Sequence, residues 1–356
     1  MTKKINIALD CMGGDDAPRS IIEGANIIAS SNSRVAFLLY GNADLINPIL
    51  DNCPALKNNS TIFHTDQVIA ADEKPSIALR KGSNSSMRLA INAVKDGLAD
   101  AVVSAGNTGA LMAIAKIVLR PLPSIDRPAI VTFMPNNKKT ATVMLDMGAN
   151  VDCNSDVLFQ FAIMGSAFAK AVLKIEKPSI GILNVGSEDL KGSDSVKAAA
   201  ILIRESDLAS SFYGYVEGDD IAKGTVDVVV TDGFCGNVTL KAIEGTAKMV
   251  SSALKEGFNS SFLAKIGYLL ASVSLSSALR RLDPRNYNGA MLVGLNGVVV
   301  KSHGSADKIS FANAVKVSIS LVEDKINDKI IAEIKSATNG YQDEIQNNSE
   351  KNNENI

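Results

Sequence analysis

The sequence predicts an α/β protein on a largely parallel sheet, and three observations carry that prediction. Short apolar runs alternate with helix-forming stretches along almost the whole chain of 356 residues, the pattern of repeated βα units. Hydrophobic residues make up 46% of the sequence, with no Trp and only 5% aromatics, so the core is Ala, Val, Ile, Leu and Met, as in doubly covered parallel strands. One cassette also recurs. DAVVSAGNTGALMAIAK (100–116) and VDVVVTDGFCGNVTLKAIEG (226–245) each set an apolar run before a glycine turn and a helix start. Such a junction leaves unpaired N–H groups and the positive end of a helix dipole facing outward, which suits an anion or simply allows tight βα packing. Two of them suit one substrate with two polar ends, or two substrates that meet.

In chain order, Ile5 to Leu9 reads as the first strand rather than a signal peptide, because only five mostly apolar residues precede Asp10. CMGGDDAPRS follows, with Gly13 and Gly14 turning the chain, Asp16 as a cap and Ile21 to Ala29 as helix. Asp10, Asp15 and Asp16 either order this loop or hold Mg²⁺, and the capping role is preferred because no further carboxylates complete a site. Val35 to Tyr40 is a second strand. Ala71 to Met87 is a polar loop leading into a helix, and its Arg80, Lys81 and Arg88 form a basic cluster, either a solvated face or a docking patch for an acidic partner.

Ala129 to Phe133 and Ala141 to Leu145 read as a hairpin across PNNKKT, and LDMGANVDCNSD leads into a helix from Val157 to Val172. Ile180 to Leu183 is a strand followed by a glycine loop that holds Lys191, with Ser193 or Asp194 capping the next helix. Phe212 to Val216 precedes the second cassette, after which helix runs to about Leu282 with a break near Gly257 to Ser260. Ala290 to Leu295 and Val298 to Lys301 are late strands, SHGSAD is a tight loop, and Phe311 to Ile334 closes the fold. The expected organisation is one α/β catalytic domain over 1–339, with a helical protrusion at about 246–285. Residues 340–356, rich in Asn, form a polar tail without enough apolar residues to order itself.

Composition and motifs exclude several functions. A net charge of −2 argues against a nucleic-acid binder working through global positive charge. Cys11, Cys53, Cys153 and Cys235 have no zinc-type spacing and read as reduced thiols. Only His64 and His303 are present, and no metalloprotease, nucleophile-elbow, P-loop or dinucleotide fingerprint occurs. Inorganic phosphate as nucleophile needs none of these, because its dianion carries a reactive oxygen near neutral pH and a thiolate leaving group needs little acid assistance. Positioning and oxyanion stabilisation would then carry the rate.

IALDCMGGDDAP, VSAGNTGALM, LDMGANVDC, EGDDI, DGFCGNVTLK, LDPRNYNGA and VVKSHGSAD, in this order from about Ile5 to Ile319, resemble the phosphate acyltransferases of the PlsX type. That resemblance implies a Rossmann-like three-layer α/β/α architecture akin to phosphotransacetylases and isocitrate-type dehydrogenases. It implies synthesis of acyl phosphate from acyl-[acyl-carrier-protein] and orthophosphate for phospholipid synthesis. It also implies a cytoplasmic homodimer that works at the membrane surface with a membrane glycerol-3-phosphate acyltransferase, without cofactor, metal or nucleic acid. The basic run RKGSNSSMR is diluted by Gly82 and Asn84 relative to the expected family pattern.

Gly106, Asn107, Thr108 and Gly109, with Gly236 and Asn237 opposite, are the expected phosphate ligands, and Asn237 is also assigned a catalytic part. Lys191 either adds charge there or is a surface lysine. His303 either polarises the thioester or protonates its sulfur, or orders its own loop. Arg80, Lys81, Arg88, Arg280 and Arg281 are the expected carrier-docking cations. Phe262 to Leu282 is amphipathic and either packs across a dimer or dips into the membrane surface. Two other functions fit the same sequence, a phosphotransacetylase acting on short acyl-CoA and a non-catalytic carrier scaffold at the membrane.

Overall fold

The structure is a computed structural model that describes residues 4–280 and 284–336. Its first half runs β1 (Ile5–Asp10), α1 (Arg19–Ser31), β2 (Val35–Gly41), α2 (Ala43–Leu50), α3 (Pro54–Lys57), β3 (Ser60–His64), α4 (Pro75–Lys81), α5 (Ser86–Lys95), β4 (Ala101–Ser104) and α6 (Thr108–Leu119). The hairpin β5 (Ala129–Pro135) and β6 (Ala141–Leu145) follows, then α7 (Ser155–Phe168), β7 (Ile180–Leu183), α8 (Asp194–Arg204), β8 (Phe212–Val216), α9 (Gly218–Lys223) and β9 (Val228–Val230). Two long helices, α10 (Gly233–Asn259) and α11 (Phe262–Arg280), precede β10 (Ala290–Val293), β11 (Val298–Lys301) and α12 (Lys308–Glu323). A last helical segment covers 326–336.

Among the described residues the strands form one sheet of eleven, in the order β3-β2-β1-β4-β11-β10-β5-β6-β9-β7-β8. Its two flanks are parallel, and the centre is not: β11 with β10, β10 with β5, and β5 with β6 are antiparallel pairs. The two flanks therefore run in opposite directions. Alternate residues of each strand enter different cores. Ile7, Leu9, Val131, Val143 and Val230 pack with α1, α7, α8 and α12, while Ala8, Val102, Ile130, Met144 and Val229 pack with α4, α5, α6 and α9. The result is the expected three-layer α/β/α sandwich.

Local chemistry explains most boundaries. Asn42, Ser85, Asn107, Asn154, Ser193, Asp232 and Asp307 each accept a first-turn N–H at the start of their helices. Asp16 makes no such cap; Pro18 holds that position at α1 without a side-chain bond. The closing helix breaks after Asp324, where Lys325 takes a positive φ of 50°. Ser155–Leu173 is the one described helical stretch long and apolar enough to cross a membrane, and most of it is buried against the sheet, as a core helix requires.

Backbone proximity at Gly236 yields a stability test. A Cβ there would lie 1.9 Å from the Asp146 carbonyl oxygen, whereas at Gly245, in the same helix, it would meet nothing within 4 Å. Gly236→Ala should cost about 2 kcal/mol or more, through displacement of α10 from the 146–150 loop. Gly245→Ala should be neutral or stabilising by up to about 1 kcal/mol. Denaturant melts of the two variants check this; equal stabilities would refute the packing role of Gly236.

Candidate active site

Antiparallel neighbours need no crossover helix, so the central strands are left partly uncovered on the α6 face. A cavity of about 520 Å³ lies there. Its apolar wall includes Ile130, Phe133 and Met134 from β5 and Leu240 and Ile243 from α10. Its polar side carries Thr108, Asn237, Lys301, Ser302 and His303. The register brings these together: Met291 of β10 aligns with Val300 on one side and Val131 on the other, and Thr132, next along β5, pairs with Met144. The carboxyl ends of β11 and β6 thus arrive at neighbouring levels from opposite directions.

The first cassette is held from below by Asp10. Asp10 is 1% exposed, accepts hydrogen bonds from the Ser86 and Ser104 hydroxyls at 2.6 Å each, and has its pKa raised by burial despite those bonds. Ser104 Oγ in turn accepts the Gly106 N–H at 3.0 Å. A Cβ on Gly106 would strike Met87 at 2.7 Å, and one on Gly109 would strike Pro75 at 2.9 Å. Asn107 caps α6 by accepting the Ala110 N–H at 2.9 Å, and its amide donates to the Ala71 and Glu73 carbonyls, both at 2.9 Å. The side-chain amide of Asn107 and the N–H of Gly106 therefore serve the turn itself, which differs from the ligand role expected of them. Thr108 reaches the cavity, and its N–H and that of Gly109 have no carbonyl ahead of them in the helix.

Asp146 organises the second cassette. It is fully buried and accepts from the Ile130, Ala149 and Asn150 backbone N–H groups at 2.9, 3.1 and 2.6 Å. Burial is the main cause that raises its pKa. Gly236 lets α10 settle on this loop, and Asn237 then lines the cavity beside Gly148.

His303 follows β11. Asn288 accepts its backbone N–H at 2.9 Å and donates to Ser302 Oγ at 2.8 Å. The Ser305 N–H reaches His303 Nδ1 at 3.3 Å, so Nδ1 accepts and the ring proton falls on Nε2. Burial, with Lys241, Lys301 and Lys248 nearby, lowers the histidine pKa. The ring is therefore a neutral donor that both orders its loop and faces the cavity.

Lys301 is a cavity-lining candidate that reading the sequence missed. It ends β11, its ammonium donates to the carbonyls of Ala105 and Ser302, and burial lowers its pKa to about 8, against which Asp10 and Asp15 raise it. The available signal was a lysine terminating the apolar run VVV. By contrast Lys191 does not line the cavity; it is paired with Glu188 at 2.8 Å and is about half exposed, because its loop follows β7 on the far flank. Arg80 and Lys81 end α4 and Arg88 lies in the first turn of α5, all outside the cavity lining. Arg280 ends α11, and Arg281, like the tail 340–356, lies outside the described residues.

The fold and this cleft define a class: a two-flanked α/β/α enzyme with the architecture of the phosphotransacetylases. The chain matches a phosphotransacetylase from Streptococcus pyogenes with a TM-score of 0.60 at 17% identity, covering 91% of this chain and 95% of that one. The EutD phosphotransacetylase from Staphylococcus aureus gives 0.56 at 17% identity over 90% and 94%. The family described as fatty acid synthesis protein matches residues 5–329. The phosphate acyltransferase of Paramagnetospirillum magneticum is 55% identical over 93% of this chain and 94% of its own, and that of Rhodospirillum centenum 54% over 94% of each. The chain belongs to the phosphate acyltransferase family and is an acyltransferase.

The buried amine sets a stability test. Lys301 has a native pKa of about 8 against 10.5 in an open chain. Below pH 8 both states are protonated and the folded state bears the full desolvation penalty. Above pH 8 the penalty shrinks, and it is gone by about 10.5. Lys301→Met should therefore raise stability at pH 7 by on the order of 2 to 3 kcal/mol, with the gain vanishing near pH 10.5. Thermal melts of both proteins across pH 6 to 10.5 measure it; a constant difference would show that Lys301 titrates normally.

Proposed function

We propose that this protein makes acyl phosphate from acyl-[acyl-carrier-protein] and inorganic phosphate, the acyl donor for phospholipid synthesis. The observation that carries this reading is the cleft itself, where an apolar wall adjoins a polar side rich in donors. The acyl chain lies along Ile130, Met134, Leu240 and Ile243. Phosphate sits between the start of α6, Asn237 and the Lys301 ammonium. One phosphate oxygen attacks the thioester carbonyl, forming a C–O bond and a tetrahedral oxyanion that Lys301 and His303 Nε2–H stabilise. The C–S bond then breaks, and the proton that the attacking hydrogenphosphate dianion carried passes to the departing carrier thiolate, leaving acyl phosphate as the dianion. Near neutral pH the phosphate dianion needs no general base, which agrees with a polar side in which Glu244, paired with Lys241 at 2.9 Å, is the lining carboxylate.

Arg80, Lys81 and Arg88 supply the cationic surface for the acidic carrier, because α4 packs against the start of α6 through Pro75 and Gly109. A cavity with this much apolar wall favours a long acyl chain over acetyl. The decisive assay is phosphate-dependent release of free thiol from acyl carrier protein by the purified enzyme. No release, or faster turnover of acetyl-CoA than of long-chain carrier, would overturn the reading. Lys301→Ala should lower kcat/KM on the order of a hundredfold, about 3 kcal/mol of lost transition-state stabilisation, while Lys191→Ala should stay within about threefold, as exposed ion pairs contribute little.

The enzyme works at the membrane surface as a homodimer and hands its product to a membrane glycerol-3-phosphate acyltransferase. Supporting this, Phe262, Leu263, Leu269 and Leu270 are all more than 70% exposed, and with Ile266 they occupy an arc of roughly 120° on α11 at 100° per residue. An apolar arc of that size on an exposed helix needs a cover, and a lipid surface suits a greasy, reactive product. Leu269→Glu with Leu270→Glu should abolish binding to anionic liposomes and leave dimer and activity on soluble substrate intact. A monomeric or unfolded double variant would assign the arc to protein packing instead.

A further inference from the structure

The buried carboxylate of Asp10 takes no part in the chemistry derived above, yet three elements converge on it. In the sheet register Asp10 pairs with Ser104, and Ser104 pairs with Lys301 on its other side. The carboxyl ends of β1, β4 and β11 thus bring Asp10, Ser104 and Lys301 into one row. Residues at one level of neighbouring parallel strands point to the same face. The row has carboxylate, hydroxyl and ammonium in that order.

Each bond in the row has a direction. Ser104 donates to Asp10 Oδ2 and Ser86 to Oδ1, with the Met12 N–H a longer donor at 3.4 Å. With its one proton donated to Asp10, Ser104 Oγ accepts from the Gly106 N–H, which fixes the turn that aims Thr108 at the cavity. Gly13 is needed for this closure, since a Cβ there would lie 2.6 Å from both Asp10 Oδ2 and the Gly106 nitrogen. Two hydroxyls and an N–H aimed at the carboxylate favour its charged form against the burial that raises its pKa, and Lys301, two strands away across Ser104, favours it too.

Taking the phosphate site of the previous subsection as given, we propose that Asp10 is a positioning residue with two tasks. Through Ser104 it sets the 104–108 turn, and through its charge it keeps Lys301 an ammonium facing the cavity. The groups around Lys301 make the second task specific. Asp10 comes from β1, Asp15 from the loop after it, and Lys241 from α10 opposes them; His303 lies two residues further on. Asp15 is exposed and its field is screened by solvent, so Asp10 is the dominant buried counter-charge. Around Asp10 itself the ionisable neighbours are Lys301 and the Cys11 thiol, which Asp10 helps to hold protonated.

The test follows the pH dependence of acyl phosphate formation and, independently of activity, the titration of the Lys301 side chain by ¹⁵N NMR. Wild-type enzyme should lose kcat/KM as pH rises through about 8, the value at which Lys301 gives up its proton. D10N should move both the activity limb and the NMR titration of Lys301 to lower pH, the direction that loss of an opposite charge dictates. S104A, which frees the turn but keeps the carboxylate, should raise the KM for phosphate without moving the limb. A folded D10N with an unmoved Lys301 titration overturns the proposal. A wild-type enzyme that makes no acyl phosphate, with Lys301 still shifted by D10N, overturns the functional reading alone. Should D10N fail to fold, D10N with K301M decides. Recovery of the fold in the double variant supports the charge pairing, because the stranded ammonium is gone; no recovery overturns it.

Discussion

The reversal of strand direction at the centre of the sheet is the constraint on which the rest depends. Parallel neighbours must be joined by crossovers that place helices on the sheet, whereas antiparallel neighbours can be joined by short turns that place nothing there. The three antiparallel steps from β11 to β6 therefore leave a strip of sheet without its own helix on one face. α6 and α10 flank that strip from opposite halves of the molecule, each starting at a strand end, so both present their amino termini to it. A cleft with donors at one side and bare aliphatic sheet as its wall is a geometric result of that topology.

The fold was legible because it is written locally. Short apolar runs, a cap such as Ser193, and the PNNKKT hairpin turn all act within a few residues. The expected parallel sheet needed correction only at its centre, where β10 and β11 come from the far end of the chain and insert between β4 and β5. Such insertion rests on contacts nearly two hundred residues apart, which short-range patterning does not encode.

The site was legible in part, and the glycine turns show why. Both turns reach the cavity, Thr108 from the first and Asn237 from the second. Their sequence grammar did not say which polar groups are free. Asn107 looked like a ligand by residue type, but a side chain at an N-cap already has an acceptor task, and its amide ties down residues 70–73. Lys191 looked well placed in a glycine loop, yet the strand it follows lies on the outer flank beside β8, where Glu188 satisfies it. Lys301 was hidden for the opposite reason. A lysine at the end of an apolar strand resembles an exposed strand terminus until the register sets it next to Ser104, with a buried aspartate on the strand beyond.

That burial carries a cost in stability which a purely structural position would not retain. A methionine at 301 would fill the same volume without desolvating a charge, and the fold would gain from it. An ammonium held at a pKa of about 8 remains mostly protonated at neutral pH while shedding much of its hydration, so its field reaches a nearby anion with little screening. Preorganised charge of this kind stabilises a developing oxyanion without waiting for solvent to reorient. The same logic extends to His303, whose neutral state is favoured by burial and by the surrounding lysines, leaving Nε2–H as a donor that adds no further positive charge. In the proposed reaction cation and neutral donor divide the work on the polar side of the cleft, Lys301 as the last residue of β11 and His303 two residues beyond it.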